Sequence, residues 1–434
     1  MRTGWLFIAM GSVGLSLAPV AKAQPQACEP TSLEVVVTPK VPEDECHRLL
    51  QLERIAAYSW QLFIALNWPA ARGARGTPDG DDPSRIADRT APRVWETWKS
   101  VEETFIPGGR RPDAWDEPAT HRVCSNSEEL EPSPTKVLAD INQSNRMGRA
   151  IGPLIAQNRT YVRYEVRMRR VGFEKIVAEE LYRRGDRRIE LPNGSINVKA
   201  AWREVRPGEN TDRYYRTEAL ALDPSNGRCE KRSFVLIGLH IVQKTPRRPQ
   251  WIWSTFEHVD NIAVGPDAPA GTRPSLNDPT KEQVPGDPPP PIHRGNPPGP
   301  DPEPVQVVVV SPFGGPGADE RKQNAKWQGS PELEGTVWRF YKLIRTQWPS
   351  NPADPTDPLL GRPLPADDVF NSTLETYQQD VTCMSCHLNS RTDFTWFIRM
   401  RAHPLPPDVR SNAQSFYDTV IDFGKAVLKS LGQP

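Results

Sequence analysis

The period of the apolar positions changes along the chain. In "ECHRLLQLERIAAYSWQLFIALNWP", Leu49, Leu52, Ile55, Ala56, Trp60 and Phe63 recur at three and four residues, which predicts an amphipathic helix ended by Pro69. A Trp-rich, Pro-broken region (Arg93 to Ser100) follows, then two more helical stretches, around Lys136 to Gln157 and Phe173 to Arg183. The period then drops to two. "IELPNGSINVKAAWREV" sets Asn193-Gly194 between alternating runs, a hairpin signal. "YYRTEALAL", "RSFVLIGLHIVQKT" and "PQWIWSTFEHVDN" come next at short spacing, as antiparallel neighbours do. Residues 24–264 therefore read as an α+β domain, a mostly antiparallel sheet with covering helices.

Between Gly265 and Pro304 lie fourteen prolines and almost no large apolar residue, so residues 265–305 read as an extended linker on the surface. Beyond it the helical period returns in residues 306–434. Ser330-Pro331 starts a helix with Leu333, Val337, Phe340, Tyr341 and Ile344 on one stripe. Asn371 caps a short helix through Leu374 and Tyr377. Ser411 with Gln414 forms a capping box for a last helix bearing Phe416, Val420, Phe423, Val427 and Leu431.

The chemistry sits in "VTCMSCHLNS". Cys383, Cys386 and His387 form C-x-x-C-H, which arises by chance in a chain of this length with a frequency of roughly a few in a thousand. A zinc site needs a second Cys/His pair, and none is present. A redox dithiol belongs in a βαβ pattern, which this region lacks. The spacing fits covalent haem c, one per chain, with two thioethers to the macrocycle and His387 as proximal iron ligand.

The other end of the chain agrees. Residues 1–23 carry Arg2, an apolar stretch from Trp5 to Val20, and Ala21-Lys22-Ala23, the pattern of a cleaved export signal. Haem attachment of this kind is completed outside the bacterial cytoplasm, so the expected location is the periplasm or the medium, with no membrane span after signal removal. The four other cysteines read as two disulfides in an oxidising compartment; three pairings are open, and the short loop from Cys28 to Cys46 favours that pair, leaving Cys124 with Cys229. Charge is balanced at 54 basic and 54 acidic residues, which argues against nucleic acid as a partner. The arginines between Arg159 and Arg188 alternate with glutamates and read as a solvated face.

A short helix entering C-x-x-C-H, followed by a terminal amphipathic helix, resembles the haem-holding pair of small cytochromes c over about residues 331–434. Only 47 residues follow His387, too few for the segment that usually covers the other haem face, so the first domain is expected to help. More widely, "QLFIALNWP", "VKAAWREV" and "IGLHIVQKTPRRPQWIWSTFEHVDN" together with "CMSCH" resemble a group of secreted bacterial cytochrome-c-like proteins with one C-x-x-C-H. That resemblance implies a periplasmic haem c protein and brings no reaction with it.

The sixth iron ligand separates a carrier from an enzyme. Met400 and His403 are the candidates. Met384 lies inside the motif and does not reach the distal face. Glu257 and His258, followed by Asp260 and Asn261, are candidate catalytic residues, although on a strand the first two point to opposite faces. His240 alternates with Phe234, Leu236 and Val242 and reads as a core histidine. Trp202, Trp251 and Trp253 read as core, with packing against haem as the alternative. The expected function is electron transfer with a redox partner protein or a small-molecule donor or acceptor. The alternative is a haem-dependent oxidoreductase, peroxidase- or oxygenase-like, whose first domain forms the substrate pocket; a haem sensor or assembly subunit comes third.

Overall fold

The computed structural model describes residues 30–45, 52–120, 123–126, 136–144, 150–185, 188–265, 268–310, 315–349, 363–364, 369–387 and 390–403. The strands are β1 (Lys99–Ser100), β2 (Val137–Leu138), β3 (Asn142–Ser144), β4 (Ala150–Pro153), β5 (Val162–Met168), β6 (Ile196–Glu204), β7 (Arg216–Leu222), β8 (Cys229–Thr245), β9 (Arg248–His258), β10 (Tyr341–Pro349) and β11 (Pro363–Leu364). The α-helices are α1 (Leu52–Leu66), α2 (Val101–Thr104), α3 (Arg170–Ala178), α4 (Ala318–Gln328), α5 (Cys383–His387) and α6 (Trp396–Arg401). One sheet runs in the order β1-β5-β6-β8-β9-β10-β11, with β7 also on β8 and β2 parallel to β7.

The α+β expectation with a mainly helical C-terminal haem region is corrected here. The described residues are mostly sheet, a curled half-barrel with 21% helix, and no helical haem region is shown among them. Three local readings change with it. Residues 136–157 give β2, β3 and β4 where described, because Val137 finds Leu220 of β7 and Gln143 finds Gly152 of β4. The helix expected from Ser330 breaks into two 3₁₀ turns and then β10. Gly335 between the turns adopts a φ of +73°, a conformation that ends a right-handed helix. Asn371 starts a turn rather than a helix, its carbonyl accepting from the Leu374 and Glu375 N–H groups at 3.2 and 3.0 Å. The last helix, from Ser411, lies outside the described residues, as do the export signal, Cys28 and Cys46.

Other elements follow their sequence. α1 is apolar on nearly every side and is buried throughout its middle, and the Asn67 amide closes its end on the Phe63 carbonyl at 2.8 Å. β8 and β9 pair antiparallel from Gly238↔Glu257 to Thr245↔Arg248, with a register shift near Gln243. Asn193-Gly194 makes a turn that feeds β6, with Gly194 at φ +84°, but β6 pairs with β5 and β8 rather than with the run before the turn. β10, from beyond the proline-rich stretch, pairs with β9 from before it. Among its described residues that stretch has no helix or strand, yet Leu276 and Val305 are buried, and Leu276 accepts the Val307 N–H at 3.0 Å.

The sheet is covered on two faces. On one, Ser59 of α1 bonds Ser254 of β9 and Thr346 of β10 at 2.8 and 2.7 Å, and Trp60 stacks on Trp327 of α4 with ring centres 5.6 Å apart. On the other, the segment leading to C-x-x-C-H docks through Asn371, whose amide bonds Thr255 Oγ1 and the Phe256 carbonyl at 2.8 and 2.9 Å. Ser372 N and Oγ donate to Glu257 Oε2 at 2.8 and 2.6 Å. Cys124 and Cys229 form a disulfide, the pairing expected if Cys28 joins Cys46.

Candidate functional site

α5 is a single helical turn, and C-x-x-C-H places its three reactive side chains at i, i+3 and i+4. These positions share one face of a helix. Cys383, Cys386 and His387 accordingly line one cavity of about 610 Å³, while Met384 is fully buried in the core and does not line it. The motif is anchored to the sheet by Gln347 of β10, whose Oε1 accepts the Cys383 N–H at 2.8 Å. Neither cysteine is in a disulfide, and burial pushes the Cys383 thiol up, so it is neutral.

The imidazole of His387 is oriented. Its Nδ1 is 2.6 Å from the Phe394 carbonyl, which makes Nδ1 the protonated nitrogen and leaves Nε2 without a hydrogen bond among the described residues. Burial lowers its pKa to about 4, so the ring is neutral near pH 7. Trp253 packs beside it, ring centres 4.4 Å apart. The acceptor carbonyl is itself held in an unusual backbone. Asp393 and Phe394 are left-handed, with φ of +51° and +62°, which costs on the order of 1–3 kcal/mol each for residues other than glycine. The Asp393 carboxylate braces that turn, accepting the Leu191 N–H and pairing with Lys244, both at 2.8 Å.

The floor of the cavity is the sheet. Tyr164 of β5, Lys199 of β6, and His240 and Val242 of β8 line it, and Phe105, Trp396 and Phe397 add apolar walls. Lys199 and His240 are register partners, and His240 Nε2 lies 3.2 Å from Glu375 Oε1. Burial lowers the Lys199 pKa. Glu102 of α2 also faces the cavity, and burial raises its carboxyl to about 7.

The residues picked from sequence fall in different places. Cys383, Cys386, His387, Met400 and His403 all line the cavity, as does Trp253. The His403 ring is already bonded to the Phe105 backbone. Glu257 and His258 do not line it. Glu257 is committed to Ser372 and, at 3.0 Å, to Lys342. His258 is fully buried and stacks on Tyr214 with centres 3.8 Å apart; its Nε2 pairs with the Arg213 carbonyl and its Nδ1 accepts the Asp260 N–H, both at 3.1 Å. Trp202 and Trp251 are core.

His240 is the residue that the sequence reading misplaced. A β-bulge breaks the register of β6 and β8 between Ala201↔Gly238 and Trp202↔Leu236. Phe234 and Leu236 therefore pack with Leu239 and Ile241 in the main core, and His240 turns to the other face. Strict alternation hid it.

Among the described residues no group of three or more His, Cys, Asp or Glu side chains is arranged to hold a metal ion by itself, and no helix is long and apolar enough to cross a membrane. A thioether-held macrocycle asks less of the protein, because its own nitrogens supply four iron ligands. Two thiols, one oriented imidazole with an open Nε2 and an apolar cavity within the roughly 300–1,000 Å³ usual for cofactor sites fit that group. Compared with known proteins, the chain matches no family model, no curated protein and no solved structure.

Proposed function

We propose that this chain is a mono-haem c-type protein of the bacterial periplasm or medium, and that it transfers electrons to or from a redox partner protein or a small-molecule donor or acceptor. The observation that carries the reading is the common face of Cys383, Cys386 and His387 on the cavity, with His387 Nδ1 committed to the Phe394 carbonyl. Cys383 and Cys386 would hold the group through two thioethers, each S–H adding across one vinyl group with no oxidant consumed. The bound group would supply one-electron chemistry at its iron. The protein's part is to hold the imidazole neutral and aimed, to exclude water with Phe105, Trp253, Trp396 and Phe397, and to fix the macrocycle against the sheet. The export-signal pattern of residues 1–23 supports the location.

Haem on the expressed, exported protein should resist acid-acetone extraction, and Cys383→Ser with Cys386→Ser should abolish haem staining after denaturation. Haem that extracts freely from the unmodified protein refutes the reading. The ionisable floor formed by Lys199, His240 and Glu375 favours a second reading, a haem-dependent oxidoreductase. Rapid carbon monoxide binding with peroxide-dependent turnover by the unmodified protein would select it over electron transfer.

A further inference from the structure

We propose that His240, backed by Glu375, is the sixth ligand of the iron, so that the haem is held between two histidines. The inference rests on the haem reading above and names the residue that closes the iron.

Hydrogen bonding sorts the histidines. Five of them are described, and an iron ligand needs a ring nitrogen not spent on the protein. His258 has spent both, on the Arg213 carbonyl and the Asp260 N–H. His403 and exposed His293 have each spent one, on the Phe105 backbone and on the Gly295 N–H at 3.1 Å. His387 has spent Nδ1 alone. The His240 ring makes no hydrogen bond to a described residue, and its buried Nε2 lies 3.2 Å from Glu375 Oε1. Of the five, His240 alone has spent neither nitrogen, and it lines the same cavity as His387 from a different wall: His387 from the helical turn and His240 from the sheet floor.

The support behind each ring has the form that iron ligation requires. A ligating imidazole normally turns its other nitrogen to a carbonyl or a carboxylate, which fixes the ring and raises its basicity. His387 has the Phe394 carbonyl. His240 has Glu375, whose other oxygen accepts the Asn371 N–H at 3.2 Å, while Asn371 is bonded to β9. Met400 offers a thioether with no such backing, and Lys199, beside His240 in register, must first lose a proton. β8 is also an interior strand of the sheet, paired with β6, β7 and β9, whereas Met400 belongs to a short helix of six residues.

Optical spectra of the purified holoprotein test the assignment. The unmodified reduced protein should be low-spin and bind carbon monoxide slowly or not at all. His240→Ala should keep covalent haem, become high-spin, bind carbon monoxide at least tenfold faster, and recover the low-spin spectrum when imidazole is added. Met400→Ala and His403→Ala should leave the spectrum unchanged. Glu375→Gln should stay low-spin and raise the midpoint potential, because the ring loses a carboxylate that favours ferric iron. If His240→Ala fails to fold, electron paramagnetic resonance of the unmodified ferric protein decides: a two-imidazole signature supports the assignment, and a histidine–methionine signature overturns it. A low-spin, carbon-monoxide-inert His240→Ala with haem still attached overturns the assignment alone. Unmodified protein without covalent haem overturns the underlying reading, and the assignment with it.

Discussion

Gly238→Ala should weaken the seat of the C-x-x-C-H motif. Gly238 lies on β8 between Ala201 of β6 and Glu257 of β9, under the segment that leads to Cys383. A Cβ there would sit 2.0 Å from Thr373 Oγ1 and 3.1 Å from Thr373 Cβ, so the segment must lift or the threonine must turn. Thr373 is fully buried, its hydroxyl donates to Asn371 Oδ1 at 2.7 Å, and its carbonyl accepts Tyr164 Oη–H and the Gln143 amide at 3.0 Å each. Overpacking a filled site costs roughly 1–3 kcal/mol, and losing the hydroxyl bond about 1 kcal/mol more. Against this, Gly→Ala at an ordinary φ recovers about 0.4–1 kcal/mol from the unfolded chain. The net loss is about 1–3.5 kcal/mol. With an unfolding entropy near 2.1 cal/mol/K per residue over ~400 residues, that is a fall in Tm of roughly 1–4 °C. Thermal unfolding followed by circular dichroism of the wild type, Gly238→Ala, Thr373→Ala and the double variant measures it as a cycle. The double variant should lose less than the sum of the singles by about 1 kcal/mol. A Gly238→Ala protein as stable as wild type, or strictly additive costs, would refute the contact.

Replacing Cys124 and Cys229 by Ser opens a loop with a sequence separation of 105 residues and should lower stability by about 2–5 kcal/mol, read as a shift of the denaturant midpoint under non-reducing conditions. Thiol counting on the denatured, unreduced protein should find neither of those two free. Glu102 has a buried oxygen without a hydrogen bond, and its carboxyl is raised to about 7 in the folded protein. The folded state therefore holds its proton longer than the unfolded one, and this group costs stability progressively as the pH rises from about 4.5 to 7. Glu102→Gln should raise Tm at pH 8 and leave it unchanged at pH 4; equal effects at both would contradict the burial argument.

What the sequence determined by itself is what depends on neighbours in the chain. The helical turn that groups Cys383, Cys386 and His387 is fixed by spacing, and the apolar run of α1 and the alternation of β7, β8 and β9 are equally local. The segments that failed are those whose partners lie far away. Val137 becomes a strand because Leu220 is there to pair with it, and Tyr341 begins a strand because β9 offers an open edge at His258. The candidate site divides along the same line. One bulge in β8 reversed the side on which His240 emerges, and a carboxylate 135 positions further along, Glu375, came to lie 3.2 Å from its ring. Neither is written in the local pattern, because a bulge is set by the register that two strands adopt together, and a long-range ion pair by the packing of the whole sheet.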